Sequence, residues 1–580
     1  MFKKNTKHQQ PALISAASEL PEKQRKRLEK SWASTFYQQF FCRINEEAFA
    51  VLYSEVASRP NVPVNVLVGL EALKAGFGWS DEELYENYCY NLQVRYAVGY
   101  DRLGDGDFEI RTLYYFRERL SQYNAEKGVN LLEKAFEQIT DAQIVKLKVR
   151  TGLQRMDSTQ IASNIVLASR LQLLVEGLQR VERMLSEADK VRLTETFAPY
   201  TQDSAGHYTY RVKGKEAVQA HLQQIGQTIS ALLLELKTAY ASENAYRVME
   251  RLFAENFHLC ESGLHPKENT ELTSSCLQSV DDLEATYRTK GTGHYKGYVA
   301  NLTETCDPTN ELQLITKVQV APNNVDDSQL LAEALPNLKE RTNLKTLVTD
   351  GGYGGEVSDQ ALQDAKTVSL IQTAIRGTQT DPNQFNLSDF DFQQDESGHP
   401  ATLTCPQGQT VPVTPGRTTG WQARFDPAIC STCPFQLDGH CRTQPQKRDP
   451  RYLLTFTTKQ IRTAQRRKAY LAHKSDGHNL RSAVESTVRS VKHPFPAGKL
   501  PVRGQFRVTC MAIASAATTN VRRIQRYLLA KTKAEQAAIS TKGEPTCPSK
   551  EASASFFDFF SAILIRWPGL KQASCLIMVC

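Results

Sequence analysis

Residues 478–492, HNLRSAVESTVRSVK, specify one helix and assign a purpose to each of its edges. At about 100° per residue, His478, Arg481, Glu485 and Lys492 fall within about 60° of one another, and Leu480, Val484, Val488 and Val491 form the adjoining apolar stripe. Pro494 stops the helix, because proline has no amide donor and clashes with the preceding turn. Such a helix must lie on a core along its stripe and hold Glu485 on an open edge. An Arg481–Glu485 pair on a plain surface helix would contribute only a few tenths of a kcal/mol, so stability alone gives little reason for the carboxylate. Its surroundings give a better one. From Arg451 to Ala530 there are 16 Lys or Arg against two acids, Asp476 and Glu485, a balance of +14 in a chain whose net charge is +7. The remaining residues are therefore net negative, and the positive charge is gathered as a polyanion-binding face requires.

Two further acids stand out by position. Residues 153–165, LQRMDSTQIASNI, place Asp157 at the end of a strand-like segment that follows IVKLKVR, and residues 344–355, LKTLVTDGGYGG, deliver Asp350 from a short apolar run into a glycine-rich turn. Both aspartates are expected where a strand stops, the place open α/β sheets reserve for chemistry. A strand-end Asp alone is usually a turn or cap residue, but two of them accompany Glu485 here. Three carboxylates suit hard divalent cations, and in-line displacement at phosphorus needs charge stabilised on both attacking and leaving oxygens.

On these segments the chain resembles the DDE transposases of bacterial insertion sequences. Their third acid lies in a signature of Tyr, two residues, Arg, three residues, Glu, six residues, Lys. Arg481, Glu485 and Lys492 match it, with His478 at the tyrosine place. The segments MDST, HYKGYVANLTETCDPTN (residues 294–310) and ELQLITKVQVAPNNVDD (residues 311–327) are also similar to the family. The resemblance implies an α/β fold with an RNase H-like catalytic core, preceded by an all-helical N-terminal domain. It implies that Asp157, Asp350 and Glu485 are catalytic and hold two Mg²⁺ (or Mn²⁺) ions, with Asp157 shared, and that His478, Arg481, Arg489 and Lys492 contact DNA or orient Glu485. The implied function is cleavage at the element's ends and strand transfer into target DNA. The implied partners are double-stranded DNA, as terminal repeats and as target, and further copies of the chain in a homodimer or higher multimer. The implied place is the bacterial cytoplasm at the nucleoid. A DNA-binding relic without activity, or a metal-dependent nuclease of the same fold, are the alternatives.

A second cluster is cysteine-based: Cys405, then Cys430 and Cys433 two residues apart, then Cys441. Four thiolates suit a tetrahedral structural Zn²⁺, and the CxxC spacing forms the tight knuckle of such sites. His440 is an alternative ligand. The surrounding residues 381–450, rich in Pro, Gly, Gln and Thr, offer little apolar material for a core, so the metal is expected to hold them together. The chain has 13 cysteines, and the others show no framework spacing, which argues against a secreted disulfide protein. The basic start, MFKKNTKHQQ, leads into no apolar run, so no signal peptide is read.

The expected organisation is a basic disordered arm at 1–30, a helical DNA-binding or dimerisation domain at 31–140, a catalytic domain at 141–530, and an extension at 531–580. The catalytic domain is interrupted by a helical segment at 165–290 and the cysteine-rich segment at 381–450. In the helical domain, Ser80 and Glu83 form a capping box, and a helix over 110–123 carries Arg111, Arg117 and Arg119.

Overall fold

A computed structural model describes residues 1–9, 17–56, 60–100, 102, 104–261, 263–373, 375, 383–395, 399–416, 420–441, 443–445, 450–474 and 482–542. The chain divides into two compact units, Met1–Tyr527 and Leu528–Cys580. In the second, the described residues are helical.

The N-terminal helices surround α1 (Val64–Phe77), VNVLVGLEALKAGF, in which all but two residues are buried. A helix apolar on every side has to be central. The capping box is present: the Ser80 hydroxyl accepts from the Glu83 amide and the Glu83 carboxylate accepts from the Ser80 amide. Arg117, on helix Arg111–Lys127, is held by Glu71 at 2.8 Å and Asp81 at 2.6 Å, and Arg119 lies over the Tyr53 ring.

One expectation is corrected here. The predicted disordered arm is anchored at both described ends: the Asn5 amide donates to Glu46, the Tyr37 hydroxyl donates to the His8 carbonyl, and Leu28 is buried within helix Glu22–Glu29. The run IVKLKVR before the first strand begins as the end of α2 (Leu131–Leu147), whose buried face runs Leu131, Ala135, Phe136, Ile139 and Gln143, and Lys148 closes the helix with φ 53°.

The central sheet follows. Its strands are β1 (Leu153–Ile161), β2 (Thr286–Lys290), β3 (Gly293–Thr305), β4 (Ile315–Pro322), β5 (Thr346–Asp350) and β6 (Ser369–Thr373). β3 pairs antiparallel with β2, β4 and β1, and β5 and β6 continue parallel to β1, giving β4-β3-β1-β5-β6 across the middle. Helix α3 (Asp327–Arg341) links β4 to β5, and α4 (Glu356–Ala365) links β5 to β6. Met156, Leu347 and Leu370 pack with Leu331, Leu335 and Leu338 on that face. Parallel strands need cover on both faces. The other face, Ala300, Leu302 and Val318, joins the N-terminal helices and α7 in one core; the carboxyl-terminal helices are α5 (Thr458–Lys474), α6 (Ser482–Lys492) and α7 (Gln505–Lys542).

Between β1 and β2 the chain builds six helices from Arg170 to Asn256 around a core of their own. Among the described residues no helix is long and apolar enough to cross a membrane.

Close contacts fix α6 against this frame. Gly78 caps α1 with φ 72°, and a Cβ there would stand 1.8 Å from the Pro494 carbonyl oxygen, just past α6. Gly78→Ala is therefore expected to cost about 2–4 kcal/mol, from left-handed backbone strain plus the forced shift. Chemical denaturation measures it, and a change below about 0.5 kcal/mol would contradict the contact.

Candidate active site

The parallel register of β1 with β5 pairs Leu153 with Thr346, Gln154 with Leu347 and Arg155 with Val348. Two steps further along the same register, Asp157 comes level with Asp350. β5 ends there, as expected, but β1 does not: it runs on to Ile161 because β3 still pairs with its other edge, Asp157 opposite Leu302. Asp157 is thus inside a strand rather than at its end, beside an edge left open where β5 stops. The Asp350 carboxylate accepts from the Gly352 amide at 2.8 Å and so caps the turn that follows, and Asp157 accepts from the Ser158 amide at 3.0 Å.

A third carboxylate joins them that sequence reading missed. Asp327, the first residue of α3, accepts from the Ser158 hydroxyl at 2.8 Å. A Cβ on Gly352 would stand 3.0 Å from both an Asp327 and an Asp350 oxygen, so only glycine fits between them without a shift. Burial pushes the Asp327 carboxyl up, the Ser158 hydrogen bond opposes this, and Asp350 adds to it. Behind them, fully buried Tyr353 donates to Asn301 at 2.7 Å; its ionisation is suppressed by burial first, then by Asp327, Asp157 and Asp350. The available signal was the doublet Asp326-Asp327: Asp326 already caps α3 through the Ser328 amide, which leaves the second acid without a capping duty.

Helix α6 carries Glu485 as the sequence predicts. Val484, Thr487 and Val491 are buried, and Glu485 and Arg489 are exposed. The helix spans one face of β1. Thr487 reaches Glu304, the partner of Arg155, while the Lys492 ammonium donates to the Gln160 carbonyl at 2.8 Å and to the Thr159 hydroxyl at 3.3 Å. Arg155, Asp157 and Thr159 alternate onto the same side of the strand, so these two attachments bracket Asp157. Lys492 is therefore half-buried, with its ammonium held on strand β1. Glu485 lies on the same edge of α6, seven residues earlier. His478 and Arg481 lie outside the described residues.

Helix α5 brings another group absent from the sequence reading. A Cβ on Gly354 would meet the Arg466 guanidinium at 2.5 Å and the Gln372 side chain at 2.8 Å, so Arg466 borders the turn after Asp350. Arg466 and Arg462 both pair with Asp359 of α4. The basic run RTAQRRKAY was the signal.

The four cysteines converge. Cys405, Cys430, Cys433 and Cys441 line one small cavity of about 20 Å³ with Phe385, Phe425 and Phe435. Burial, and after it the neighbouring Cys441, Cys405 and Cys433, push the Cys430 thiol up to about 11. His440 is engaged by the Asn383 carbonyl. The segment is less bare than its composition suggests: it forms a six-stranded antiparallel sheet over residues 391–456 with a core of Phe390, Leu403, Val411, Ala423, Phe425, Phe456 and Ile461. The order of strands reaches beyond residue 450, and Ile461 belongs to α5.

Among the described residues, no three His, Cys, Asp or Glu side chains stand as a ready-made metal-binding group. The donor types nevertheless divide as the two chemistries demand, with carboxylates at the open end of the sheet and thiols around the small cavity. Hard cations take oxygen and Zn²⁺ takes sulfur. Searches of curated proteins and of solved structures give no match. Residues 404–525, from the cysteine-bearing sheet through α5 and α6 into α7, match the family described as transposase DDE domain.

Proposed function

We propose that this protein cleaves DNA at the ends of its mobile element and transfers the freed strands into target DNA, using Asp157, Asp350 and Glu485. The observation that carries the reading is the shared level of Asp157 and Asp350 on adjacent parallel strands, at an edge opened where β5 ends. The strand order β4-β3-β1-β5-β6, with three antiparallel strands followed by two parallel ones, supports an RNase H-like core. The separate core of residues 170–256 supports reading those helices as inserted into it. The N-terminal helices would then bind the element's ends, with more than one copy of the chain needed to hold two ends together.

Asp157, Asp350 and Glu485 would hold Mg²⁺ or Mn²⁺. When bound, such ions stabilise charge on the attacking and leaving oxygens of an in-line displacement. The chain's own groups set the geometry around them. The Ser158 amide donates to Asp157 and the Gly352 amide to Asp350, and these bonds orient the two carboxylates. Lys492 fixes α6 to β1, and Arg466 stands beside the Asp350 turn, where a guanidinium suits a DNA phosphate. Cys405, Cys430, Cys433 and Cys441 would hold a structural Zn²⁺.

The test is a duplex bearing the DNA that flanks the gene, incubated with a supercoiled target plasmid and Mg²⁺. Joined products are expected. Cleavage without joining would favour a nuclease of the same fold, and end binding without cleavage would favour a relic.

A further inference from the structure

We infer that Glu304 is a positioning residue for the active site: a buried carboxylate that fixes the separation between the strand carrying Asp157 and the helix carrying Glu485. The inference rests on the three-acid reading above and adds to it the part that sets its spacing.

Glu304, on β3, is fully buried. One oxygen accepts from the Arg155 guanidinium at 2.6 Å, and Arg155 is its cross-strand partner on β1, two residues before Asp157. The other oxygen accepts from the Thr487 hydroxyl at 2.7 Å, two residues after Glu485, and from Arg523 of α7 at 2.7 Å. Arg523 also donates to the Thr487 hydroxyl. One carboxylate therefore ties β1, α6 and α7 together, with its ties to β1 and α6 each two residues from a proposed metal ligand.

Stability is a weak reason to build such a network. Burying three charges carries a large desolvation cost, and apolar side chains of similar volume often serve a core as well or better. A fully hydrogen-bonded polar cluster instead fixes one arrangement of the elements that meet in it. A divalent-cation site that draws ligands from both β1 and α6 would tolerate little error in their separation, and supporting groups of this kind typically change metal affinity or activity about 10–100-fold. Lys492 attaches the far end of α6 to β1. Thr487 and Glu304 attach the end nearer Glu485, so the two ties together fix both the height and the tilt of the helix.

Thr487→Val tests this with little disturbance, since it keeps the shape, leaves both arginines on Glu304 and removes only the hydroxyl. The variant is expected to need about tenfold more Mg²⁺ for half-maximal cleavage. In the protein without DNA, it is expected to take up Mn²⁺ correspondingly more weakly, read from the electron paramagnetic resonance of the free ion. End binding is expected to stay intact, and Thr487→Ser, which restores a hydroxyl, should recover both metal curves. Unchanged Mg²⁺ and Mn²⁺ curves in Thr487→Val, in a preparation where Glu485→Ala abolishes cleavage, would overturn the role of Glu304. Cleavage that survives Glu485→Ala would instead remove the three-acid reading, and the inference with it.

Discussion

Asp350→Asn is expected to lower Mg²⁺-dependent cleavage of an end-bearing duplex about a thousandfold or more, equivalent to about 4 kcal/mol of lost transition-state stabilisation, while leaving the fold and DNA binding in place. The structure separates the two effects. One Asp350 oxygen caps the next turn by accepting from the Gly352 amide, and the amide oxygen of asparagine can accept the same bond. That bond outlasts the loss of charge. Asp157→Asn has the same logic at the Ser158 amide. Glu485→Gln is milder still for stability because the side chain is exposed. Thermal midpoints near wild type, intact gel shifts and loss of cutting in all three variants would match the proposal. Full cutting by any of them would exclude that carboxylate from the site. A variant that loses cutting and folding together would place the residue in the scaffold.

The third acid was legible because helical periodicity is local: residues 484, 488 and 491 announce the buried stripe, and Glu485 falls beside it. Asp350 was legible because an apolar run breaks into glycines immediately after it. Asp157 was found with a wrong account of its surroundings. The strand-like segment after IVKLKVR was read as ending at Asp157, yet pairing with β3 carries β1 on to Ile161. That pairing is not visible within a short window. Glu304 was beyond reach for the same reason: its partners Arg155, Thr487 and Arg523 are 149, 183 and 219 residues away in the chain. Asp327 was hidden differently, behind a neighbour that supplies an ordinary helix cap.

Zinc removal is the second large effect to expect. The purified protein should carry about one Zn²⁺ per chain, and Cys430→Ser or Cys433→Ser should lose it, since structural Zn²⁺ takes four protein ligands. Cys430, which shares a cavity of about 20 Å³ with the other three cysteines, is poorly placed to ionise on its own: burial and the neighbouring sulfurs hold its thiol up near 11. A divalent cation reverses that balance, and in small zinc modules its binding contributes about 10–16 kcal/mol to folding. Among the described residues the local apolar core has seven buried members, too few to make so large a contribution negligible. One of the seven is Ile461 on α5, the helix whose Arg466 borders the turn after Asp350. Loss of zinc should therefore reach the active site. A zinc-selective chelator is expected to open residues 381–456 to proteolysis and to abolish cleavage even with Mg²⁺ in excess, while the N-terminal helices resist digestion. Added Zn²⁺ should restore both properties to wild type and neither to Cys430→Ser. A protein that contains no zinc, and whose proteolysis and cleavage ignore the chelator, would show that the thiols stabilise this sheet as ordinary buried side chains.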